Sequence, residues 1–417
     1  MFEAIFFPRT AEKYRAAPLS EPRAQYLRHL NELGACRTTL RKNANDQLSL
    51  VRLLDLREGV RVSIPQIEAA AAIWALPKGH RYARAASPKA RTRFASRGIQ
   101  WLRFLGWLDE PERKHHPHHA EIVIFERWLH QERGLSNATV QAYCAAADHF
   151  FFFFWSAGKG VALNAIQMTD IDDVIAAEHK RGVWKRRSIH DDAQRLRAFF
   201  LFAEARGWCR AGLAAGIIAP RFMADETVPK GLGREDVLRL LASVVGDRAV
   251  DKRDRAILTL LIANGLRAGE VRGLQLDDLD WENGMLRVRC PKPGRTHLWP
   301  LSHEVGHAIL RYIREARPSG FGRGLFFTVH APIRPLGRAA LGKMVRDRLA
   351  GIGIVSGRRG THVLRHAAAQ HLLDQGMSMK VIGDFLGHRD PSSTAIYAKV
   401  NLAALREVAA LDLEGLA

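Results

Sequence analysis

The chain has 417 residues, 47% of them hydrophobic and 25% charged, which is the composition of a soluble globular protein with two or three domains. No apolar run approaches the length of a membrane span, so the composition excludes a membrane-spanning protein. The 63 Lys and Arg exceed the 43 Asp and Glu to give a formal net charge of +20, and this excess indicates a polyanionic partner, nucleic acid before anionic lipid.

Neither the N-terminal segment nor the cysteines indicate a signal peptide, a metal site or a disulfide scaffold. The N-terminal MFEAIFFPRT is apolar but too short for a signal peptide, so we expect a cytoplasmic protein. The four cysteines form no CxxC pair and fit neither a zinc site nor a disulfide scaffold, so reduced thiols are expected; they are Cys36, Cys144, Cys209 and Cys290.

Residues 1–112 form an N-terminal extension with helical patterns such as IEAAAAIWAL (67–76). A basic stretch follows at 77–98, with Lys78, Arg81, Arg84, Lys89, Arg91, Arg93 and Arg97. The stretch fits a solvated loop and helix face as well as an accessory arm that contacts DNA, and both interpretations stay open. PERKHHPHHA (111–120) reads as a linker, because Pro117 interrupts the spacing that would align its histidines for a metal.

Residues 113–222 are predicted to be a small helical unit with DNA-binding character. One helix ends near Gly134, a second begins after Ser136 as its N-cap, and a third covers 188–207 and ends at Gly207. The run of phenylalanines at 150–154 is expected to lie in the core. Basic residues in and before the third helix could line a DNA backbone or simply form a solvated face: Lys185, Arg186, Arg187, Arg195 and Arg197.

Residues 228–417 are predicted to be helices around one short hairpin. RDRAILTLLIANG (253–265) has helical apolar spacing, whereas DWENGMLRVR (280–289) reads as a turn and a strand, with HLWPL (297–301) as the returning strand. The whole chain should therefore be mainly α with a small antiparallel β-sheet.

This last region also carries an ordered set of residues with chemical potential. GLRAGE contains Arg267, CPKPG contains Lys292 and HVLR contains His362 and Arg365. LGH then supplies His388, and Tyr397 follows nine residues later. Any one of these motifs is common by chance, but all six residues in this order make a specific signal.

The order resembles the tyrosine recombinase (phage integrase) family, whose pattern is GLRxxE, a hairpin Lys, HxxR, LGH and a Tyr nine residues later. The resemblance covers about 228–417, with Gly269 where serine is common and Trp299 where valine is usual. Residues 113–222 resemble the family's helical, SAM-like core-binding domain more weakly. The resemblance implies a C-shaped clamp on double-stranded DNA and a homotetramer on two DNA sites, alone or with related recombinases. Residues 1–112 match no family securely.

Physical chemistry assigns the six residues the same roles as the resemblance does. A tyrosine can hold the scissile phosphate covalently, but a phenol with a pKa of about 10 is only about one-thousandth ionised at pH 7, a deficit of roughly 4 kcal/mol. Arg267 and Arg365 can neutralise the phosphate in the transition state, with a further hydrogen bond from His388. His362 is the candidate proton acceptor for Tyr397. Lys292 can protonate the departing 5′ oxygen, and Glu270 is expected to orient Arg267 or to cap the next helix.

No metal or other cofactor is expected in this scheme, because the cations of the side chains replace those of a two-metal nuclease. The acidic DDLD (277–280) reads as a turn before a strand, and the chain has no GK[ST] phosphate loop. After Tyr397, an apolar stripe in the tail suits packing onto its own domain or, as the resemblance implies, docking onto a neighbouring subunit; it comprises Leu402, Leu405, Val408 and Ala409.

Three functions fit these observations. The leading hypothesis is a site-specific DNA recombinase of the integrase or transposase kind, encoded by a mobile element. A monomeric nicking-closing enzyme like the type IB topoisomerases shares the chemistry, and a DNA-binding regulator could keep the fold without activity.

Overall fold

The computed structural model describes residues 1–76, 87–110, 116–156, 158, 162–182, 186–220, 231–289, 296–355 and 360–387. Lys185, Lys292, His388 and Tyr397 lie outside these ranges, as do the tail after Tyr397 and the basic stretch up to residue 86. The chain forms two compact units. One comprises Pro111–Glu226, and the other combines Met1–Glu110 with Thr227–Ala417.

The N-terminal region is helical, with a two-residue parallel strand pair. Its elements are α1 (Phe2–Ile5), α2 (Pro8–Ala16), α3 (Ser20–Glu32), α4 (Arg37–Leu54), β1 (Val62–Ser63), α5 (Ile64–Trp74), α6 (Pro88–Phe104) and β2 (Leu108–Asp109). The predicted helix at 67–76 is confirmed as part of α5. This helix begins at a capping box in which the Gln66 side chain accepts the backbone N–H of Ser63. The small parallel pair was not predicted, because two residues leave no alternating pattern.

The N-terminal region packs directly on the segment around residues 320–335. The N–H of Ile333 donates to the carbonyl of Leu33 at 2.8 Å, and Ala331 packs against the apolar cluster of α1 to α4. Gly34 permits this approach, since a Cβ there would lie 2.6 Å from Cγ1 of Ile333. The extension therefore shares a compact unit with the C-terminal region.

The middle unit is all helical in its described residues, as predicted. It consists of α7 (His119–Gln131), α8 (Asn137–Ser156), a 3₁₀ turn (Leu163–Ala165), α9 (Met168–Lys180), α10 (Arg186–Ala205) and α11 (Leu213–Gly216). Ser136 caps α8 through the N–H of Thr139, which confirms that boundary. The phenylalanine run is largely core: Phe150, Phe151 and Phe154 are buried, whereas Phe152 is 50% exposed. His116, in the segment predicted to be a linker, is also buried and hydrogen-bonded to Asp148 of α8. The middle unit therefore includes this part of the predicted linker.

The C-terminal region surrounds a central buried helix. Its elements are α12 (Arg234–Ala242), α13 (Ala249–Ala263), α14 (Ala268–Gly273), a 3₁₀ turn (Leu276–Asp278), β3 (Leu279–Asp280), β4 (Met285–Arg289), β5 (Thr296–Pro300), α15 (His303–Glu315), α16 (Arg338–Gly351), α17 (Thr361–Asp374) and α18 (Met379–Leu386). α13 is the predicted helix of 253–265, and it is buried on several sides, with Ile257, Leu260 and Leu261 fully inaccessible.

The predicted hairpin is confirmed, with one addition. β4 and β5 pair antiparallel in the register Met285 with Pro300 and Arg289 with Thr296. The short β3, from the DDLD segment, adds a third antiparallel strand beside β4. The fold is thus mainly helical with a small antiparallel sheet, as predicted. Among the described residues, no helix is long and apolar enough to cross a membrane.

Candidate active site

The carboxyl end of α18 is the point on which the candidate site is built. Three successive carbonyl oxygens there accept hydrogen bonds from side chains. Trp299 Nε1 donates to Phe385 at 3.2 Å, Arg365 Nη2 donates to Leu386 at 2.5 Å, and Arg267 Nη2 donates to Gly387 at 3.1 Å. The last carbonyls of a helix have no partner within the helix and carry partial negative charge, so cationic donors stabilise them. Arg365 of α17 and Arg267, the N-cap residue of α14, thus meet at one helix end.

Arg365 is the more deeply held of the two. Its side chain belongs to a residue only 5% exposed, and its Nη1 donates to the carbonyl of Gly265 at 2.6 Å. A buried guanidinium is tolerated only where acceptors meet its N–H groups. Gly265 brings that acceptor close: it adopts φ +59°, and a Cβ there would lie 2.6 Å from Cδ2 of Leu386. The glycine of GLR is therefore a structural requirement of the site.

Arg267 is held by Glu270, one turn along α14. One carboxylate oxygen of Glu270 accepts the backbone N–H of Arg267 at 2.7 Å, and the other accepts Nη1 at 2.8 Å. Glu270 is buried, whereas the Arg267 side chain is 36% exposed. Glu270 therefore caps α14 and orients the guanidinium at once, and the accessible part of Arg267 remains able to reach a ligand.

His362 and Arg365 sit one turn apart on α17 but differ in exposure. His362 is exposed in the first turn of the helix, whereas Arg365 is buried and His366 is half-buried. The three-residue spacing of His362 and Arg365 thus gives one solvent-facing imidazole and one internal guanidinium. The structure brings Arg267, Glu270 and Arg365 together at α18 and places His362 at the start of the same α17.

Lys292, His388 and Tyr397 lie outside the described residues, so their predicted roles stay predictions. By sequence, Lys292 belongs to the connection between β4 and β5, and His388 directly follows Gly387.

Two residues on β5 belong to this site although the motifs do not include them. Trp299 stands out in the sequence only as a departure from a usual valine, yet its indole binds the carbonyl of Phe385. His297 lies on the same strand face, and its ring is 5.3 Å from that of Trp299. The available signal was the period of two in THLWP, which places residues 297 and 299 on one face of the strand.

The arginines of the middle unit that are predicted to contact DNA lie on α10 and are exposed or half-buried. Arg186 and Arg187 are exposed in the first turn of α10, and Arg187 Nε is 3.8 Å from a carboxylate oxygen of Asp191. Arg195 and Arg197 are half-buried, with Arg195 Nη1 4.0 Å from Asp192. These residues line α10 beside its buried apolar face, and Lys185 lies outside the described residues.

The acidic residues of the DDLD segment are engaged within the fold. Asp278 is buried and accepts the backbone N–H of Gln275 at 2.8 Å, with Arg289 at 2.9 Å from its other oxygen. Asp277 pairs with Arg323, whose hydrogen bonds lower the pKa of the carboxyl. In the part of the chain that the structure describes, no group of three or more His, Cys, Asp or Glu is placed to hold a metal ion.

Comparison with known proteins identifies the family. Residues 232–403 match the model of the phage integrase family, and residues 122–207 match that of the phage integrase N-terminal SAM-like domain. The integrase/recombinase y4rA of Sinorhizobium fredii is 38% identical over 304 residues, which are 72% of this chain and 73% of that protein. The chain belongs to the tyrosine recombinase family. Its relatives include the tyrosine recombinase XerD of Ralstonia nicotianae, 31% identical over 67% of this chain and 88% of that protein.

Solved structures agree on the fold of this tyrosine recombinase. A lambda integrase dimer bound to a core site matches with a TM-score of 0.52 and 18% identity, over 67% of this chain and 94% of that one. The XerH site-specific recombinase, in a post-cleavage complex with its substrate, matches with a TM-score of 0.52 and 17% identity, over 70% and 84%. Members of the family are site-specific recombinases, and the predicted enzyme class is confirmed.

Proposed function

We propose that the chain cuts and rejoins double-stranded DNA through a 3′-phosphotyrosine formed by Tyr397, as an integrase or transposase-like recombinase of a mobile element. The observation that supports this most strongly is the binding of Arg365 and Arg267 to the carbonyls of Leu386 and Gly387, directly before His388 in the chain. This places two fixed cations beside the LGH motif. DNA as the substrate also accounts for the net charge of +20 and puts the activity in the bacterial cytoplasm.

In the proposed reaction, the Tyr397 oxygen attacks the phosphorus and the bond from phosphorus to the 5′ oxygen breaks. The phenolic proton passes to His362, and Lys292 gives a proton to the departing 5′ oxygen. Rejoining reverses these steps when a 5′ hydroxyl attacks the phosphotyrosine. The phosphodiester bond energy is kept throughout, so neither ATP nor a metal is needed.

The arginines would act on the charge that builds on the non-bridging oxygens. Hydrogen bonds fix both guanidinium groups before substrate arrives, so they need not reorganise during the reaction. Donors preorganised in this way contribute about 10²–10³-fold each to the rate in other enzymes. His388 would add a third donor, and the exposed part of Arg267 supports direct contact with the phosphate.

The test is a covalent trapping experiment. Genomic DNA recovered after formaldehyde crosslinking to the protein supplies the site without requiring activity, and a nicked duplex of that site then serves as a suicide substrate. We expect the wild-type protein to form an SDS-resistant adduct and Tyr397→Phe to form none. Tyr143→Phe, in the middle unit, is the matched control and should react normally. An adduct that persists in Tyr397→Phe would show that another residue is the nucleophile.

We propose further that exchange requires four protomers on two DNA sites, alone or with related recombinases, with the tail of one subunit docked on the next. The helical middle unit and the apolar stripe in the tail support this over a monomeric topoisomerase-like enzyme. Sedimentation of the protein with its trapped site distinguishes the two, since a nicking-closing enzyme would stay at one protomer per site. A silent DNA-binding regulator would bind that site without forming an adduct.

A further inference from the structure

His297 lies on the strand that faces the candidate site. Along β5 the exposure alternates: Thr296 and Leu298 point to solvent, with Leu298 61% exposed, whereas Trp299 is buried. His297 shares the face of Trp299 and is half-buried. Because Trp299 reaches the carbonyl of Phe385, this face of β5 lies against the end of α18. Along the sequence, His297 is two residues nearer than Trp299 to Lys292.

Gly387 locates the imidazole relative to Arg267. A methyl group built on Gly387 would lie 3.7 Å from Nε2 of His297 and 3.9 Å from Nη1 of Arg267. The imidazole edge and the guanidinium therefore border the same small space at the end of α18. Two nitrogen donors and the backbone just before His388 meet there.

The side chains around this space differ in whether they have hydrogen-bond partners. Trp299 and Arg365 donate to backbone carbonyls, and Arg267 donates to Glu270 and Gly387. Over the residues that the structure describes, the His297 imidazole makes a ring contact with Trp299, and its ring nitrogens have no hydrogen-bond partner. Polar groups that are partly removed from water usually have a hydrogen-bond partner, and the imidazole N–H of His297 can donate to one. Because the guanidinium of Arg267 lies beside it, an anion is the favoured partner.

We propose that His297 is a further catalytic residue, whose Nε2–H donates to a non-bridging oxygen of the scissile phosphate beside Arg267. A neutral imidazole is enough for this role, because the donor proton sits on Nε2 in one tautomer. The proposal rests on the function proposed above, since it takes the anion to be the scissile phosphate. It adds a donor on β5 to the two arginines and to His388.

The first experiment measures the rate of adduct formation on the trapped-site suicide duplex. We expect His297→Ala to slow it by about 100-fold, the usual cost of removing one preorganised donor. His297→Gln places an amide N–H near the former Nε2 and should recover about tenfold of that loss. Thr296→Ala, on the opposite strand face, is the control and should match the wild type. Noncovalent affinity, measured in the Tyr397→Phe background, should change less than about twofold, because the contact strengthens in the transition state.

The second experiment separates a phosphate contact from a packing role. A methylphosphonate at the scissile position replaces one non-bridging oxygen with a methyl group, in two separable diastereomers. If His297 donates to that oxygen, the 100-fold gap between wild type and His297→Ala should shrink to about twofold on one diastereomer. A gap of the same size on both diastereomers would mean that His297 only packs, and the proposal would be overturned.

The outcomes also separate this inference from the proposed function. Wild-type protein that forms no adduct on its trapped site overturns the proposed function and the inference with it. Wild-type protein that reacts, together with a His297→Ala variant that reacts equally fast, overturns the role of His297 alone.

Discussion

The arginines at the end of α18 and those on helix α10 of the middle unit differ in burial and in hydrogen bonding. At α18, Arg365 is 5% exposed and bonded to two carbonyls, and Arg267 is held by Glu270. On α10, Arg187 is exposed, and its Nε lies 3.8 Å from a carboxylate oxygen of Asp191. A buried, fixed guanidinium can stabilise a transition state without reorganising, whereas an exposed one can contact a DNA backbone but adds little to catalysis. Substitutions at the α18 site should therefore change the rate of DNA cleavage, whereas substitutions on α10 should change DNA affinity.

The largest expected effect is at Arg365. Arg365→Lys keeps the charge but cannot donate to Gly265, Leu386 and a phosphate from one planar group. We expect adduct formation to fall by about 1,000-fold with little change in DNA affinity. Time courses on the suicide duplex, quenched with SDS, measure the rate of adduct formation. Arg346→Lys, on the exposed face of α16, is the matched control. A loss of less than tenfold would mean that the fixed geometry of Arg365 is unimportant.

A second effect concerns the backbone that supports Arg365. Gly265→Ala must accommodate both φ +59° and a Cβ 2.6 Å from Leu386, so it should lower the free energy of unfolding by about 3 kcal/mol. Gly134→Ala has nearly the same φ, +58°, but no atom within 4 Å, and should cost about 1 kcal/mol. Hydrogen exchange during urea titration compares α17 with α7 in the two variants. Equal costs would show that the close approach to α18 is easily relaxed.

A smaller effect is expected at Glu270. Glu270→Gln keeps an acceptor for the Arg267 backbone N–H but loses the charge that holds the guanidinium. Cleavage should slow by about 10- to 30-fold, chiefly in the rate rather than in DNA affinity. Glu304→Gln, exposed in the first turn of α15, should behave as wild type. If the Glu270 variant binds DNA more weakly yet cleaves bound DNA normally, the positioning argument is wrong.

The smallest effects belong to α10. Arg187→Gln and Arg195→Gln should each weaken DNA binding about threefold and reduce the slope of affinity against salt by about one. The same loss is expected on unrelated DNA, because phosphate contacts carry no sequence information. Arg206→Gln is the control, since that guanidinium is stacked over Phe202 at 4.5 Å. Unchanged salt dependence in the two variants would remove α10 from the DNA-binding surface.

The chemistry of the site is predictable from the sequence because its residues occur in short motifs of fixed spacing. HVLR contains Arg365, and GLRAGE contains Arg267 and Glu270. Trp299 and His297 are not predictable in this way, since neither belongs to a motif and strand alternation alone does not say what the inner face touches. Nor does the sequence indicate that residues 1–110 share a unit with the C-terminal region, because the contact of Leu33 with Ile333 spans 300 positions without a local pattern.

The sequence by itself determined the family, the mainly helical fold with its hairpin, and the residue types that the chemistry needs. Those properties follow from local periodicity, caps and spacing, which act over a few residues. The tertiary structure alone decided that α14, α17 and β5 converge on the end of α18, and that its three terminal carbonyls hold Trp299, Arg365 and Arg267. The reason is physical: a buried guanidinium and an unpaired helix end each need a partner, and the packing of distant segments determines which partners meet.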